Sequence, residues 1–204
     1  MLGDYTRLDL VFILVTIVLS LSLHEAMHGF AAHWLGDDTA KREGRLTLNP
    51  LAHIDPFMTV LLPIVTLIFF HAPFLAAKPV PFNPDRVKYD EFGAAIIGAA
   101  GPLTNLALAI VGSLLLHVVA PGSLVAEALN IFRTLNVVIF VFNLLPIPPL
   151  DGSRVLYAFA PEPLQEVMRT IESYGFFILF ALIFVFNLGG FVAHIAQAVI
   201  NILP

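Results

Sequence analysis

His24, Glu25 and His28 stand together in Ser20-Leu21-Ser22-Leu23-His24-Glu25-Ala26-Met27-His28-Gly29-Phe30. On a helix, His24 and His28 are i and i+4, so both imidazoles leave the same face one turn apart. That geometry grips one zinc ion, and the carboxylate of Glu25 beside it can act as a general base. The setting is unusual for such groups. Leu8 to Leu35 reads as one apolar helix, about 42 Å long at 1.5 Å per residue, enough to cross a bilayer. Ionisable side chains at membrane depth are costly and mark functional sites by default. The bland alternative is a polar patch satisfied by a neighbouring helix.

A catalytic zinc keeps three protein ligands and one open position. The third ligand must come from another helix, at similar depth, where the backbone is freed. Asp151 meets these conditions. The run Pro146-Ile147-Pro148-Pro149 ends a helix and removes amide donors, and Gly152 permits a tight turn that aims the carboxylate inward. The competing reading of Asp151 is an N-cap for the short helix that follows it. Glu91, at the start of a helix, and Glu127, near an outer turn, fit less well. His33, nine residues from His24, points to the opposite side of the first helix and reads as interfacial.

The elements that must position these groups belong to a membrane protein. The 204 residues are 58% hydrophobic and only 12% charged, with a mean hydropathy of +0.89; a soluble domain carries about twice as many charges. A net charge of −5 with no basic run argues against nucleic acid as a partner. The absence of cysteine excludes disulfides and thiolate ligands, so a metal here takes imidazole and carboxylate. Asp4 and Asp9 flank Arg7, and no small-residue cleavage site precedes the motif, so no cleaved signal peptide is expected.

The expected fold is an all-α polytopic membrane protein. It has about five to six transmembrane or re-entrant helices and a short β-hairpin or extended re-entrant element near the active site. Trp34 suits an interfacial anchor and Gly36 a helix end. Arg45 to Leu48 reads as a short strand ending at Asn49-Pro50. Pro56 to Phe70 is apolar but short for a span, and Pro63 interrupts it. Lys78-Pro79-Val80-Pro81-Phe82 is extended by proline rules. Further spans are expected at Glu91–Val119, rich in small residues around Gly98–Asn105, at Leu124–Leu145 and at Leu164–Leu188, with a short helix over Phe191–Leu203. The whole chain, 1–204, reads as one integral-membrane domain, its core motifs in 8–160 and accessory helices in 164–204.

Basic residues concentrate in two loops, Lys41, Arg42 and Arg45 in one, Lys78, Arg86 and Lys88 in the other. The positive-inside rule puts both in the cytoplasm. Both fit there only if 56–72 enters the membrane and returns, which brings Asp151 to the same side as His24 and His28.

His24-Glu25-x-x-His28 followed by Asn143-Leu144-Leu145-Pro146-Ile147-Pro148-Pro149-Leu150-Asp151-Gly152 resembles the site-2 protease family of intramembrane zinc metalloproteases. Gly44-Arg45-Leu46-Thr47-Leu48-Asn49-Pro50, Lys78-Pro79-Val80-Pro81 and Gly101-Pro102-Leu103-Thr104-Asn105 look like a compact prokaryotic branch without a PDZ or CBS domain. The resemblance implies one Zn2+ per chain held by His24, His28 and Asp151. It implies that Asn143 binds substrate or stabilises the oxyanion, and that Gly101 and Asn105 help to place substrate. The implied partners are a transmembrane protein or peptide substrate and the lipid bilayer, at the cell membrane with the active site towards the cytoplasm.

The chemistry read from these residues is amide hydrolysis, with Glu25 moving the proton. A substrate helix must unwind before attack, and Arg45–Leu48 or Val80–Phe82 could hold the unwound segment by strand addition. Arg133, Asn105, Asn136 and Asn187 read equally as interhelical packing groups. Two other classes stay open at this point: a metal-binding transporter, and an inactive relative that binds membrane proteins.

Overall fold

The computed structural model describes residues 6–70 and 78–204. Thr6 starts the first helix with a reciprocal cap. Its hydroxyl accepts the Asp9 amide at 3.2 Å, and the Asp9 carboxylate accepts the Thr6 amide at 2.8 Å. Helix α1 then runs unbroken over Arg7–Trp34 and ends at Leu35, with Gly36 just beyond at φ +105°. Only a residue without a Cβ enters that left-handed region freely, so the chain turns here. A one-turn helix, α2, covers Thr39–Arg42.

Among the described residues three helices are long and apolar enough to cross a membrane: α1, α4 over Asp90–Leu116 and α5 over Leu124–Asn143. Helix α4 is central. It packs against α1, α5 and α6, the short helix Asp151–Phe159. Its sequence explains why. Gly98, Gly101, Asn105, Ala109 and Gly112 recur every three or four residues and form one small-residue face. Added Cβ atoms at Gly98 and Gly112 would lie 3.1 Å from Arg154 Cβ and Phe132 Cδ1 respectively. Many large apolar side chains point outward, among them Leu14, Phe177 and Val118. They are the surface that lipid would cover in a multi-pass membrane protein.

The C-terminal region departs from the expected span over 164–188. Helix α7, Glu162–Glu172, is amphipathic and meets the apolar α8, Gly175–Phe184, at a bend of 78°. Glu162, Glu166, Arg169 and Glu172 give α7 a polar face that cannot continue as a lipid-facing helix. At Gly175 a Cβ would lie 2.9 Å from the Pro148 carbonyl, so α8 starts hard against the proline run. If the bent pair counts as one span, the described residues hold four. Helix α9, Leu188–Ile202, is capped by Asn187 and packs on α5 through Val137, Val141, Leu188, Val192 and Ala196.

No strand forms among the described residues, so the expected strand at Arg45–Leu48 is corrected. Its polar groups bond locally instead. The Thr47 hydroxyl accepts the Asn49 amide, and the Thr47 carbonyl pairs with His53 Nε2 at 2.9 Å. Asn49 then caps a 3-10 turn, Pro50–His53. A π-helical turn, Pro56–Leu61, leads into α3, Leu62–Phe70. The far end of the expected return over 56–72 lies in 71–77, outside the described residues. Residues that flank it on either side meet: the Lys78 amide donates to the His53 carbonyl at 3.0 Å. Residues 78–83 form no regular secondary structure, and Asn83 at their end is extended.

Candidate metal centre

Three helices converge on one point. His24 Nε2 and His28 Nε2 from α1 are 3.1 Å apart. Asp151 Oδ2, from the first residue of α6, lies 3.1 Å from His24 Nε2 and 3.3 Å from His28 Nε2. Both histidines are buried. For zinc bonds of about 2.0–2.1 Å, two ligand atoms of a tetrahedron are about 3.3 Å apart. The three edges observed have that length.

The hydrogen bonds behind the rings fix which nitrogen faces this point. His28 Nδ1 is 2.7 Å from the Ile97 carbonyl, which can only accept, so Nδ1 carries the proton. His24 Nδ1 is 2.6 Å from Asn105 Oδ1. The Asn105 amide nitrogen in turn donates to Asn136 Oδ1 at 2.9 Å and faces the Ser20 carbonyl at 3.5 Å, which leaves Oδ1 for the histidine. Asn136 closes the chain on the Phe132 carbonyl at 2.9 Å. With both Nδ1 atoms engaged as donors, the Nε2 atoms of the two rings and a carboxylate oxygen turn on one another. A shared proton relieves one edge of that triangle; a cation at its apex relieves all three.

Among the described residues this is the one group of three or more His, Asp or Glu side chains close enough to hold a metal. Glycine completes it. A Cβ on Gly101 would lie 2.5 Å from His28 Nε2 and 2.6 Å from His24 Nε2, inside the ligand sphere. Asp151 is not the N-cap of α6; Leu150 is, with no side-chain cap. Its neighbour Gly152 is needed for close approach, because a Cβ there would run into the Leu144 carbonyl group.

Glu25 lies beside the cluster, half-buried, and its Oε2 accepts the Val80 amide at 2.9 Å. The extended segment expected near the site is therefore in contact with it. Asn143 is the last residue of α5, half-buried, and its amide nitrogen donates to the Ile139 carbonyl at 3.0 Å. Asn105 is fully buried behind His24 with both polar atoms engaged, on the side away from the cluster. Gly101 is at the cluster itself. His33 is away from it and pairs with Asp38 at 2.6 Å. A cleft of about 760 Å³ opens next to the site, between Val80, Phe82, Pro148, Ser153 and Arg154.

One participant escapes the sequence reading: the Ile97 carbonyl, which has no side-chain signature. Asn136, which reads as an interhelical packing group, does bond across helices, to Asn105.

A family model described as Peptidase family M50 matches residues 117–186. YwhC of Bacillus subtilis, named as a zinc metalloprotease, is 40% identical over 190 residues, which is 89% of this chain and 83% of that protein. Rip2 of Mycolicibacterium smegmatis, with the same description, is 32% identical over 85% of this chain and 67% of its own length. A relative in Methanocaldococcus jannaschii, again named as a zinc metalloprotease, is 36% identical over 75% of this chain and 73% of its own. No solved structure matches the chain significantly.

Proposed function

The chain belongs to peptidase family M50, the site-2 proteases, and is a membrane-embedded zinc metalloprotease; we propose that it cuts a peptide bond in or beside a transmembrane segment of a membrane-protein substrate, with His24, His28 and Asp151 as zinc ligands and Glu25 as general base. The observation that carries the ligand assignment is the triangle of acceptors, two imidazole lone pairs and one carboxylate oxygen, with edges of 3.1 to 3.3 Å. Bound zinc supplies Lewis acidity that activates water and polarises the scissile carbonyl.

The chain's own groups do the rest. Glu25 Oε2 takes the proton of the attacking water and delivers it to the leaving nitrogen. To do so it exchanges its hydrogen bond from Val80 for one from water. Asn143 turns its amide from Ile139 towards the developing oxyanion. Asn105 acts through His24, holding the ring in the tautomer that bares Nε2, and Gly101 keeps the ligand sphere clear. The apolar walls of α1, α4 and α5 exclude bulk water, and the extended backbone at Val80–Phe82 receives the unwound substrate.

The active site faces the cytoplasm of the cell membrane in this reading. The bond between the Lys78 amide and the His53 carbonyl supports the re-entrant reading of 56–72, because a full crossing would separate these flanking residues by the bilayer thickness. Single cysteines at Lys41 and Lys88 should then both react with a reagent on the cytoplasmic side and resist an external impermeant one. Labelling from opposite sides would refute the re-entrant path. The function itself is tested by membrane proteomics of cells carrying wild-type protein against Glu25→Gln. Truncated membrane proteins should appear only with the wild type; identical profiles would count against proteolysis.

A further inference from the structure

The mechanism above leaves two buried charges unexplained, both in the polar region after α1. Arg45 is 6% exposed. Among the described residues no carboxylate lies within ion-pair distance of its guanidinium, and its Nε is buried without a partner. It spends its remaining donors on backbone carbonyls. One terminal nitrogen bonds the Ala52 carbonyl, and the other bonds the carbonyls of Lys78 at 2.7 Å and Pro79 at 3.2 Å. Asp37 is fully buried. Its Oδ1 accepts the Thr39 amide and hydroxyl at 3.0 and 2.6 Å, and its Oδ2 accepts the Asn83 amide at 2.6 Å. Burial pushes the Asp37 carboxyl up, but the bonds from Thr39 and Asn83 and the nearby Arg86 charge outweigh it and hold the group below the usual carboxylate range.

A buried charge without an ion-pair partner is expensive to keep. Besides their bonds to Ala52 and Thr39, both reach one object, the segment 78–83. Arg45 takes carbonyls at its start, and Asp37 takes an amide at its end. Between those anchors Val80 donates its amide to Glu25. The Val80 side chain rests on α1 one turn beyond Glu25, where a Cβ on Gly29 would come within 3.2 Å of Val80 Cγ1. Prolines at 79 and 81 leave the segment no amide of its own at those positions. It therefore depends on outside groups for its course.

We propose that Arg45 and Asp37 are positioning residues, a cationic and an anionic anchor that strap segment 78–83 across α1 so that the Val80 amide meets the Glu25 carboxylate. The strap aligns the carboxylate for proton transfer and sets the floor on which substrate backbone lies. This inference rests on the metalloprotease reading.

Two arms test it, and they fail separately. The first is independent of proteolysis. The chain has no cysteine, so a nitroxide on Lys78→Cys reports the strap alone. It should give an immobilised spectrum in the wild-type background, a mobile one with Arg45→Ala and an intermediate one with Arg45→Lys. An unchanged line shape in Arg45→Ala overturns the proposal. The second arm uses a single-span test protein, tagged on both sides of its apolar helix. Arg45→Ala and Asp37→Asn should keep zinc and melting temperature yet lose about 10–100-fold, mainly in kcat, the scale of a displaced catalytic geometry. Arg45→Lys should recover most of that loss. Val80→Pro removes the same amide and should cost a similar amount. Combined with Arg45→Ala it should add little, because both changes break one linkage. Additive losses, or zinc and stability falling in step with activity, would mean that Arg45 is only a structural staple. If the wild type cuts no membrane-protein probe while the spin label still responds to Arg45, the strap stands and the protease reading fails.

Discussion

The metal cluster and the strap segment border the same carboxylate, Glu25, but are held by opposite means. At the cluster every proposed ligand comes from a helix, and each imidazole is oriented by a neutral acceptor behind it, Asn105 or the Ile97 carbonyl. Packing of α4 against α1 and α6 fixes the rest. The strap has no regular structure. It is held by two buried charges bonding its backbone across 33 and 46 residues of chain. In the proposed mechanism the difference separates two tasks. Metal ligation needs an unchanging geometry, which close-packed helices supply. Receiving an unwound peptide, the task proposed for the strap, needs backbone that can exchange partners.

Substitutions break this contrast in order of size. Gly101→Ala should do most harm, because its methyl enters the ligand sphere with α4 and α1 already in contact. Zinc should be lost, and activity should fall about 10⁴-fold or more, the scale of removing a catalytic group. Metal analysis with a cleavage assay on the purified variant checks this; full zinc in Gly101→Ala would mean that the helices separate more readily than their packing implies. Asn105→Ala comes next. It removes the acceptor behind His24 and leaves Asn136 without its partner, so zinc affinity should weaken about 10–100-fold. Chelator competition measures that, and no change would return Asn105 to the substrate-placing role that the family resemblance suggests. Gly29→Ala should act on the strap alone. Its methyl presses Val80 by a few tenths of an ångström, so zinc should be intact and kcat/KM should fall by less than about tenfold.

The same contrast explains what could be read from the sequence. His24 and His28 share a face because helical spacing is local, and Asp151 is marked by its proline run and its depth. The spans α1, α4 and α5 follow from hydropathy, with ends displaced by a few residues. The motif resemblance directs Asn105 towards substrate while the residue reads equally as an interhelical packing group, and its four-residue spacing from Gly101 puts both on the face that meets α1. The bend between α7 and α8 was also legible in principle, since Glu162, Glu166, Arg169 and Glu172 mark a polar face. Arg45 and Asp37 were not. Their bonds to 78–83 go to backbone atoms of a distant segment, and no spacing in sequence encodes a bond to a backbone group that any residue could provide.

The central claim is that His24, His28 and Asp151 hold the zinc that Glu25 serves without binding. Zinc content and cleavage, measured together on detergent-purified variants, address it directly. Glu25→Gln should carry about one zinc per chain, as the wild type does, and lose about 10²–10⁴-fold in cleavage. Asp151→Ala should lose both metal and activity, with Asp151→Asn between, because it keeps the shape without the charge. Glu91→Gln and Glu127→Gln should keep both. Full zinc in Asp151→Ala, with loss in a Glu91 or Glu127 variant, would contradict the assignment of the third ligand, and undiminished cleavage by Glu25→Gln would contradict that of the base.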